Sequence, residues 1–427
     1  MKIITILILL CVFCFGCANS EINSDDKNSG ETRVYSNKLS FDGGFFNFVS
    51  KKDTQKNPLI KNSKFCSIED IVFIPDYIED ERFISCEEYY NSGDERYLRM
   101  PSGNYLTYPD GTKEKICMDA YCRNNPEEYC SHLNLMGGKV DGNYVYYMGK
   151  YNNGRKTKSD GSFTSLDYSN YLMRYDLVEN VSEVVMELPY YAGIVLSANG
   201  CLYIDVNVLA DGAESVSYRK ISTVIYDKRN IRAAEVDFNC VDFYDGVAMG
   251  EWIYYIKGNQ VSRIKYDLSE NETLDTGNSE YFYYTYDTRY YKTDVLGVAK
   301  NKVFCTKYAV ASANYNVVSF DKNGKLREVL SGVDGAVLAD NSLFCVEGDK
   351  VMKYSLEFRG KVIGDGEVVF SEVQSCKPGE HINKIEKYGD TAAVHTKCGN
   401  ENYSRKFIIT ENGSVLDGEG STVDYME

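Results

Sequence analysis

The chain has 427 residues, of which 63 are acidic and 47 basic, so its formal net charge is −16. This length predicts about two or three average domains or one large repeat fold, and 43% hydrophobic against 26% charged residues is typical of a globular protein. The acidic excess removes the electrostatic basis for binding a phosphate backbone and argues against a nucleic-acid partner, while only 3 histidines leave little material for a histidine-based catalytic centre.

The N-terminus predicts export. An apolar run over residues 3–15 is too short for a comfortable membrane span but suits the hydrophobic region of a signal peptide. Gly16-Cys17 resembles the bacterial lipobox, in which a small residue precedes a Cys that is diacylated and becomes the mature N-terminus. We therefore predict a lipoprotein signal peptide at 1–16, lipid on Cys17, and a protein anchored in the membrane at the cell surface. Ordinary secretion with cleavage after Ala18 is the alternative.

Residues 17–33 follow the predicted cleavage site. From Asn19 onward they are polar, contain Gly and Ser, and include no aromatic side chain, which predicts a flexible tether. No later stretch approaches the roughly eighteen apolar residues of a membrane-spanning helix.

Beyond the tether, short runs of Tyr, Val, Ile and Phe between Gly, Asn and Asp clusters predict β-strands throughout. A signal with two parts recurs along this region. The first part is an apolar strand after a turn, at intervals of 40 to 57 residues, starting at Tyr144, Cys201, Trp252, Lys302, Ser342 and, more weakly, Ala392. The second part follows with an aromatic residue before Asp or Ser, at Tyr175-Asp176, Tyr226-Asp227, Tyr266-Asp267, Phe320-Asp321 and Tyr354-Ser355.

This period suits the four-stranded blades of a β-propeller with variable loops, and it disfavours a β-sandwich or a β-helix. Blades pack face to face, so their central strands should be apolar on both sides, as residues 252–256 are. The Asp after each aromatic residue should accept a backbone N–H in a tight turn. Asp110-Gly111 and Asn323-Gly324 should supply the positive φ of two-residue hairpins.

Six blades can be counted from about Leu133 to Asp417, and an earlier one ends near Ile116. We therefore predict that residues 34–427 form a single all-β propeller domain of four-stranded antiparallel blades, with seven blades favoured and six or eight as alternatives. Segment 34–96 should supply inner strands of the first blade or a strand that closes the ring. The acidic stretch from Ile68 to Glu95 fits the repeat least well and is interpreted as an insertion or a short helix.

Three cysteines, Cys117, Cys122 and Cys130, follow a Tyr-Pro-Asp-Gly hairpin. The favoured interpretation is a disulfide that staples an irregular connector between two blades in an oxidising compartment. A zinc site that adds His132 is one alternative, although the Cys130-x-His132 spacing is too tight for a typical zinc knuckle. Free thiols are the other. Cys66 with Cys86, and Cys376 with Cys398, are further candidate pairs.

This stretch resembles a group of uncharacterised bacterial β-propeller lipoproteins, in which a first-blade hairpin leads into a Leu-Cys, Asp-Pro, Cys-x-His sequence. The resemblance covers the lipobox, Cys117, Asp119, Cys122, Cys130, the blade start at 140–147 and the repeat rhythm to the C-terminus. The chain departs from the group at Asn124, where the group has His, and it lacks the group's Pro near residues 120–121. The resemblance implies the fold and the location but hardly any biochemistry.

Residues 280–291 hold seven aromatic side chains in twelve positions. Packing between blades is the favoured role, because Tyr can bury its ring while its hydroxyl stays wet. A surface for a sugar or peptide ligand is the alternative, with these candidate residues: Tyr281, Tyr283, Tyr284, Tyr286, Tyr290 and Tyr291.

The sequence contains no Gly-x-Ser-x-Gly elbow, no His-Glu-x-x-His, no P-loop and no dinucleotide fingerprint. His381 is predicted to lie in a surface loop and His395 in a strand as a core imidazole. We expect a surface-anchored, non-enzymatic binding or interaction protein without cofactor or metal, whose ligand is an unidentified glycan, peptide or protein. A secreted propeller enzyme acting on glycans and a structural or assembly role are the alternatives.

Overall fold

The computed structural model describes thirteen longer stretches of chain, a two-residue strand near the start and one single residue. These are residues 47–48, 65–75, 77–90, 99–125, 135, 137–157, 163–188, 191–209, 218–257, 260–275, 294–309, 314–357, 359–398, 404–410 and 413–416.

The strands form consecutive antiparallel sheets, each of which is one blade. A short strand, β1 (Asn47–Phe48), pairs in parallel with an edge of the second blade. Blade 1 contains β2 (Phe83–Tyr90), β3 (Arg99–Thr107) and β4 (Lys113–Ile116). Blade 2 contains β5 (Lys139–Asp141), β6 (Tyr144–Thr157), β7 (Phe163–Asp176) and β8 (Val181–Leu188). Blade 3 contains β9 (Tyr191–Ala198), β10 (Cys201–Leu209), β11 (Tyr218–Asp227) and β12 (Arg232–Val236).

The remaining blades repeat this order. Blade 4 contains β13 (Val247–Met249), β14 (Trp252–Lys257), β15 (Gln260–Lys265) and β16 (Asn271–Asp275). Blade 5 contains β17 (Val295–Ala299), β18 (Lys302–Ala309), β19 (Asn314–Phe320) and β20 (Leu326–Val333). Blade 6 contains β21 (Gly335–Ala339), β22 (Ser342–Glu347), β23 (Lys350–Leu356) and β24 (Val362–Ser371). Blade 7 contains β25 (Glu380–Tyr388), β26 (Thr391–Cys398), β27 (Ser404–Thr410) and β28 (Gly413–Leu416).

The seven blades form a ring, so the chain is a seven-bladed β-propeller and the favoured blade count is confirmed. Helices are minimal. The described part of the chain has two short α-helices, α1 (Ala120–Asn124) and α2 (Glu372–Ser375), and two 3-10 turns, Ile68–Asp70 and Val241–Phe243. None of these helices has the length and apolar composition needed to cross a bilayer.

The recurring signal marks the two central strands of a blade. Its first part coincides with the second strand, as Trp252 starts β14, and its second part with the end of the third strand, as Asp227 ends β11. These strands are apolar on both sides because each lies between two neighbouring blades, and β22 buries its first five residues. The predicted Asp turns are also present: Asp176 Oδ1 accepts hydrogen bonds from the backbone N–H groups of Val178 and Glu179 at 2.8 and 3.0 Å.

The two Gly-containing hairpins differ from the prediction in loop length. Gly111 and Gly324 do adopt positive φ, 83° and 76°. However, the hydrogen bond from Tyr108 N to Thr112 O encloses three residues, as does the bond from Asp321 N to Lys325 O. A three-residue loop with a left-handed Gly therefore replaces the expected two-residue turn.

The two-residue turns instead join the first and second strands of blades 2 to 7. In blades 3, 5 and 6 both loop residues have positive φ, as in type I′ turns: Asn199-Gly200, Lys300-Asn301 and Asp340-Asn341. In blades 2, 4 and 7 only the first loop residue does, as in type II′ turns: Gly142, Gly250 and Gly389. We call the side of the ring that carries these turns the turn face, and the side that carries the connections between second and third strands the loop face.

Apolar clusters fill the spaces between consecutive blades. There is one cluster for each pair from blades 1 and 2 to blades 6 and 7. Between blades 2 and 3, for example, the buried rings of Tyr146 and Tyr226 lie 6.0 Å apart. Burial of this kind is the main favourable term in folding, so these clusters hold most of the ring together.

Residues 66–75 and 77–82 lie across the turn face, and we name these two segments together the strap. It is part of the stretch interpreted as an insertion or a short helix; the helical part is only Ile68–Asp70. Cys66 N donates to Ala233 O of blade 3, Ile71 packs in the cluster between blades 3 and 4, and the strap continues into β2, which is the first strand of blade 1.

A buried ammonium fixes the strap. The side chain of Lys228 is 1% exposed, and its Nζ lies 3.4 Å from Glu79 of the strap and 3.2 Å from Asp141 of blade 2. The same Nζ donates to Ser197 Oγ at 3.1 Å, so all three ammonium protons have acceptors. Tyr77 also donates to Asp141, at 2.8 Å; burial, together with this hydrogen bond, raises the pKa of Tyr77 to about 12, which keeps the phenol a donor.

Replacing Lys228 with Met should lower the free energy of unfolding by about 2 kcal/mol, because Glu79 and Asp141 lose their shared cation while staying partly buried. Urea unfolding followed by circular dichroism measures this. Lys265→Met is the matched control, since Lys265 pairs with the exposed Glu270 at 2.8 Å and should change stability little. Equal effects of both variants would contradict the role of Lys228.

Blade 7 contains a second buried ion pair. Glu380 on β25 accepts hydrogen bonds from Arg405 Nε at 2.8 Å, from Lys377 N at 2.8 Å and from Thr396 Oγ1. Burial acts to raise the pKa of Glu380, but the hydrogen bond from Arg405, followed by those from Thr396 and Lys377, outweighs it and lowers the pKa to about 2.

The stability that Glu380 contributes should therefore be complete above its ordinary pKa of 4.5 and be lost as the pH falls toward 2. Glu380→Gln should destabilise the protein by on the order of 3 kcal/mol at pH 7, and this difference should shrink toward pH 2. Unfolding measured at a series of pH values tests it, with the exposed Glu367→Gln as a reference for loss of charge alone. A difference that stays constant from pH 7 to pH 2 would contradict the assignment.

Candidate functional site

The candidate site is a cleft of about 580 Å³ between blades 5 and 6. The ends of β19 and β20 and the turn between β22 and β23 bring its walls together at the loop face. Its lining residues are Asn314, Glu328, Val329, Leu330, Ser331, Gly332, Asp334, Glu347, Gly348 and Tyr354.

A tyrosine and a glutamate in the cleft lining are joined by a hydrogen bond. Tyr354 Oη donates to Glu347 Oε1 at 2.5 Å, and only 7% of Tyr354 is exposed. Burial, followed by the hydrogen bond to Glu347, raises the pKa of Tyr354 well above its usual range. The phenol therefore remains protonated at neutral pH, and it acts as a fixed donor that orients the carboxylate.

Asp334 also lines the cleft. Its Oδ2 accepts from Gly348 N at 3.0 Å, and its Oδ1 accepts from Asn314 Nδ2 at 3.3 Å. The Asn314 amide also donates to Gly332 O at 3.2 Å. These contacts tie the start of β19 to the end of β20 and to the next blade, so the carboxylate is held by one backbone donor and one side-chain donor.

The third carboxylate, Glu328, accepts from Asn316 Nδ2 at 3.2 Å and is exposed at the cleft edge. Gly332 has a φ of +76°, and no atom lies within 4 Å of the position that a Cβ would take. Open space therefore lies beside the Cα of Gly332 in the cleft lining.

The lining carries three carboxylates and no basic side chain. Each carboxylate has more lone pairs than the hydrogen bonds described above use, so the cleft can accept further hydrogen bonds and complement positive charge. Among the described residues no group of three or more His, Cys, Asp or Glu side chains has a geometry that could hold a metal ion.

The structure describes two of the predicted connector cysteines. Cys117 follows β4 and Cys122 lies in α1, and both are buried and packed against each other. The connector is held by Asp119, whose carboxylate accepts from Tyr121 N at 2.8 Å, and by Tyr175, whose hydroxyl donates to Cys117 O at 3.1 Å. Among the described cysteines no two sulfur atoms lie at disulfide distance, so the predicted pairing of Cys376 with Cys398 is wrong.

Other predicted site residues lie outside the described residues. They are Cys17, Cys130, His132, Tyr281, Tyr283, Tyr284, Tyr286, Tyr290 and Tyr291. The lipid anchor, the disulfide with its zinc alternative, and the two roles of the aromatic segment therefore stay predictions.

The two described histidines both lie in blade 7. His381 is exposed as predicted but belongs to β25 and not to a loop; its Nδ1 lies 3.0 Å from Glu372 Oε2. His395 lies in β26 as predicted, but it is only half-buried, and its Nε2 is 3.0 Å from Glu386 Oε1. Neither lies in the cleft.

Sequence analysis did not find the cleft. Glu328, Asp334, Glu347 and Tyr354 are spread over 27 positions and read as ordinary polar residues of strands and turns. Only the packing of β20 in blade 5 against β22 in blade 6, together with the pairing of β22 with β23, brings them together. The one local signal is that acidic residues precede Gly at Asp334-Gly335 and Glu347-Gly348, which is equally typical of turns.

No protein-family model matches the chain, and no curated protein matches it in sequence. Solved structures resemble it in fold. The β-propeller domain of the Trilobed protease from Pyrococcus furiosus, which has an open velcro topology, is 11% identical, with a TM-score of 0.41, covering 83% of this chain and 98% of that one. Acylaminoacyl peptidase from Pyrococcus horikoshii is 10% identical, with a TM-score of 0.43, covering 80% of this chain and 54% of that one.

A quinonprotein alcohol dehydrogenase-like protein from Bacteroides thetaiotaomicron is 9% identical, with a TM-score of 0.32, covering 66% of this chain and 84% of that one. At these identities the likenesses concern the fold alone.

Proposed function

We propose that the chain is a surface-anchored, non-enzymatic binding protein whose ligand occupies the cleft between blades 5 and 6. The observation that carries the proposal is a cavity of about 580 Å³ with three carboxylates and no basic side chain in its lining. Cavities of several hundred Å³ with a few converging polar groups are the usual form of a small-ligand or side-chain site.

The chemistry of the walls selects the ligand class. Glu347 and Asp334 are held in place by Tyr354, Asn314 and a backbone N–H, so they are arranged before a ligand arrives. A positively charged group would complement them, and the open space beside the Cα of Gly332 leaves room for an extended peptide. The ligand is therefore a segment of a partner protein that presents Lys or Arg side chains.

Binding can be tested with a decapeptide of lysine and isothermal titration calorimetry at about 0.15 M salt. The double variant Asp334→Asn/Glu347→Gln should weaken binding by about tenfold or more, because two charges that face the ligand are lost while their hydrogen-bond acceptors remain.

The matched control is Glu179→Gln/Glu187→Gln, which removes two exposed carboxylates from blade 2. Screening over about 8 Å at this salt makes distant charges matter little, so the control should bind nearly as the wild type does. Equal losses in both double variants would show that the peptide responds only to the net charge, and the cleft would be rejected as the site.

The enzyme alternative keeps one supporting observation. Glu328, Asp334 and Glu347 line one cleft, and a glycosidase needs two carboxylates about 5 to 10 Å apart. Release of reducing sugar from a panel of soluble glycans, lost in Glu347→Gln, would replace binding with glycan hydrolysis as the function of the cleft.

Three sequence features support anchoring of the protein to a membrane. They are the apolar run at 3–15, the Gly16-Cys17 pair and the polar tether. Changing Cys17 to Ser should move the protein from the membrane fraction to the soluble fraction or the medium, since the acylated sulfur is gone. Cys14→Ser, three residues earlier, is the control and should leave the protein with the membrane. Fractionation followed by immunoblotting measures both, and membrane association of the Cys17 variant would contradict the anchor.

A further inference from the structure

Blade 1 differs from the other blades in its described strands. Blades 2 to 7 each have a first, second, third and fourth strand, and the first strands of neighbouring blades contact one another inside the ring, as β17 contacts β21 and β21 contacts β25. In blade 1 the described residues form three strands, in the order β2, β3 and β4. Their turns and directions show which of the four positions each strand takes.

The strands β3 and β4 are the third and fourth strands of blade 1. A three-residue loop joins them, closed by the hydrogen bond from Tyr108 N to Thr112 O. The same kind of loop joins the third and fourth strands of blade 5, from Asp321 N to Lys325 O, and those of blade 6, where Glu357 N donates to Lys361 O.

The strand β2 takes the second position, although it comes first in the chain. Arg82, just before β2, donates to Gly142 O in the turn between the first and second strands of blade 2, so β2 begins at the turn face. It then runs toward the loop face and pairs antiparallel with β3, as every second strand pairs with a third strand. In blades 2 to 7 a two-residue turn precedes the second strand, whereas the strap precedes β2.

One edge of β2 therefore faces the inside of the ring. In blades 2 to 7 the first strand pairs with this edge, but among the described strands only β3 pairs with β2, on its other side. The N–H and C=O groups along a strand edge need hydrogen-bond partners, and an open edge is a template for one more strand. The inner edge of β2 is thus a docking surface for an antiparallel strand.

The order of strands around the ring indicates the occupant. Each fourth strand is followed in sequence by the first strand of the next blade: β21 follows β20 after one residue, and β9 follows β8 after two. The fourth strand of blade 7 is β28, and the next blade is blade 1, since Asp390 N of blade 7 donates to Pro109 O of blade 1 at 2.8 Å. The residues that follow β28 are 417–427.

The direction and length of this segment fit the open position. Because β26 begins at the turn face and successive strands of blade 7 alternate in direction, β28 ends at the loop face, where first strands begin. The longest first strand, β25, has nine residues, so 417–427 can provide a two-residue connection and a first strand of that length. Thr422, Val423 and Tyr425 have high β-propensity.

The chain before the strap fits this position less well. Sequence analysis assigned ring closure to segment 34–96, but β1 pairs in parallel with β6, which is a second strand. A strand leading straight into β1 would therefore run parallel to β2, whereas first and second strands are antiparallel in every other blade. Residues 49–64 connect β1 on blade 2 with Cys66 on blade 3, and neither end is at blade 1.

We propose that residues 417–427 dock on the inner edge of β2 and form the first strand of blade 1. Main-chain hydrogen bonds then join the blade that begins the ring to the segment that follows its last blade. This arrangement gives blade 1 the same four-strand order as blades 2 to 7, and it satisfies the backbone groups that face the inside of the ring.

Photo-crosslinking of the full chain tests which segment occupies the edge. Tyr425→p-benzoylphenylalanine keeps an aromatic side chain in 417–427, and Phe41→p-benzoylphenylalanine is the matched variant in the segment before β1. After irradiation and digestion, mass spectrometry should find Tyr425 joined to β2 or to the first strands on either side of it, β25 and β5. The variant at Phe41 should give no crosslink to β2.

Three results of this experiment would overturn the proposal. Crosslinks to β2 from Phe41 and not from Tyr425 would assign the edge to the earlier segment. Crosslinked dimers from Tyr425 would show that the segment docks on a second copy of the chain. No crosslink from Tyr425 to β2, β5 or β25 would leave the segment away from blade 1.

A peptide of residues 417–427 provides a second, independent measurement. Labelled with a fluorophore, it should bind a chain that ends at Leu416 at least about tenfold more tightly than the full chain, because the full chain already occupies the edge with the same sequence. The control peptide carries Val423→Pro, which removes one N–H and is incompatible with a central position in a sheet, so it should lose this binding. Equal binding to both chains, or equal binding of both peptides, would contradict docking as a strand.

Discussion

Each blade of this ring has two large faces, and both must be covered by another blade. A single four-stranded sheet exposes its apolar side chains, so no blade can bury its faces alone and the ring must close. The continuous apolar character of second strands such as β14 and β22 follows from this requirement. The position of every loop, and of the cleft between blades 5 and 6, depends on it in turn.

Two kinds of interaction hold neighbouring blades of the ring together: apolar burial and directed polar contacts. Six interfaces gain stability from buried apolar area, which is non-directional and tolerates the irregular loops that vary from blade to blade. Between blade 7 and blade 1, the hydrogen bond from Asp390 N to Pro109 O requires a defined geometry. The strap continues into blade 1 and is hydrogen-bonded to blade 3 on the turn face. It therefore adds a second connection between the first blade and the rest of the ring.

The two sides of the ring differ in how their charged side chains are paired. On the turn face, Lys228 pairs with both Glu79 and Asp141, so these charges interact within the protein. On the loop face, Glu328, Asp334 and Glu347 meet no basic side chain in the cleft lining and remain available to a ligand. A loop-face site also sits on strand ends, whose positions are fixed by the packed blades, which favours binding without large rearrangement.

The sequence by itself determined the repeat, the all-β class, the favoured count of seven and the Asp turns, because each depends on residues close together in the chain, such as Tyr226-Asp227. The loop lengths predicted at Gly111 and Gly324 were wrong, because a Gly with positive φ occurs both in two-residue and in three-residue turns. Only the tertiary structure decided which acidic residues share a cleft and which lysine is buried beneath the strap. These features join residues that are distant in sequence, and their contacts depend on the registers and packing of whole blades, which no local pattern encodes.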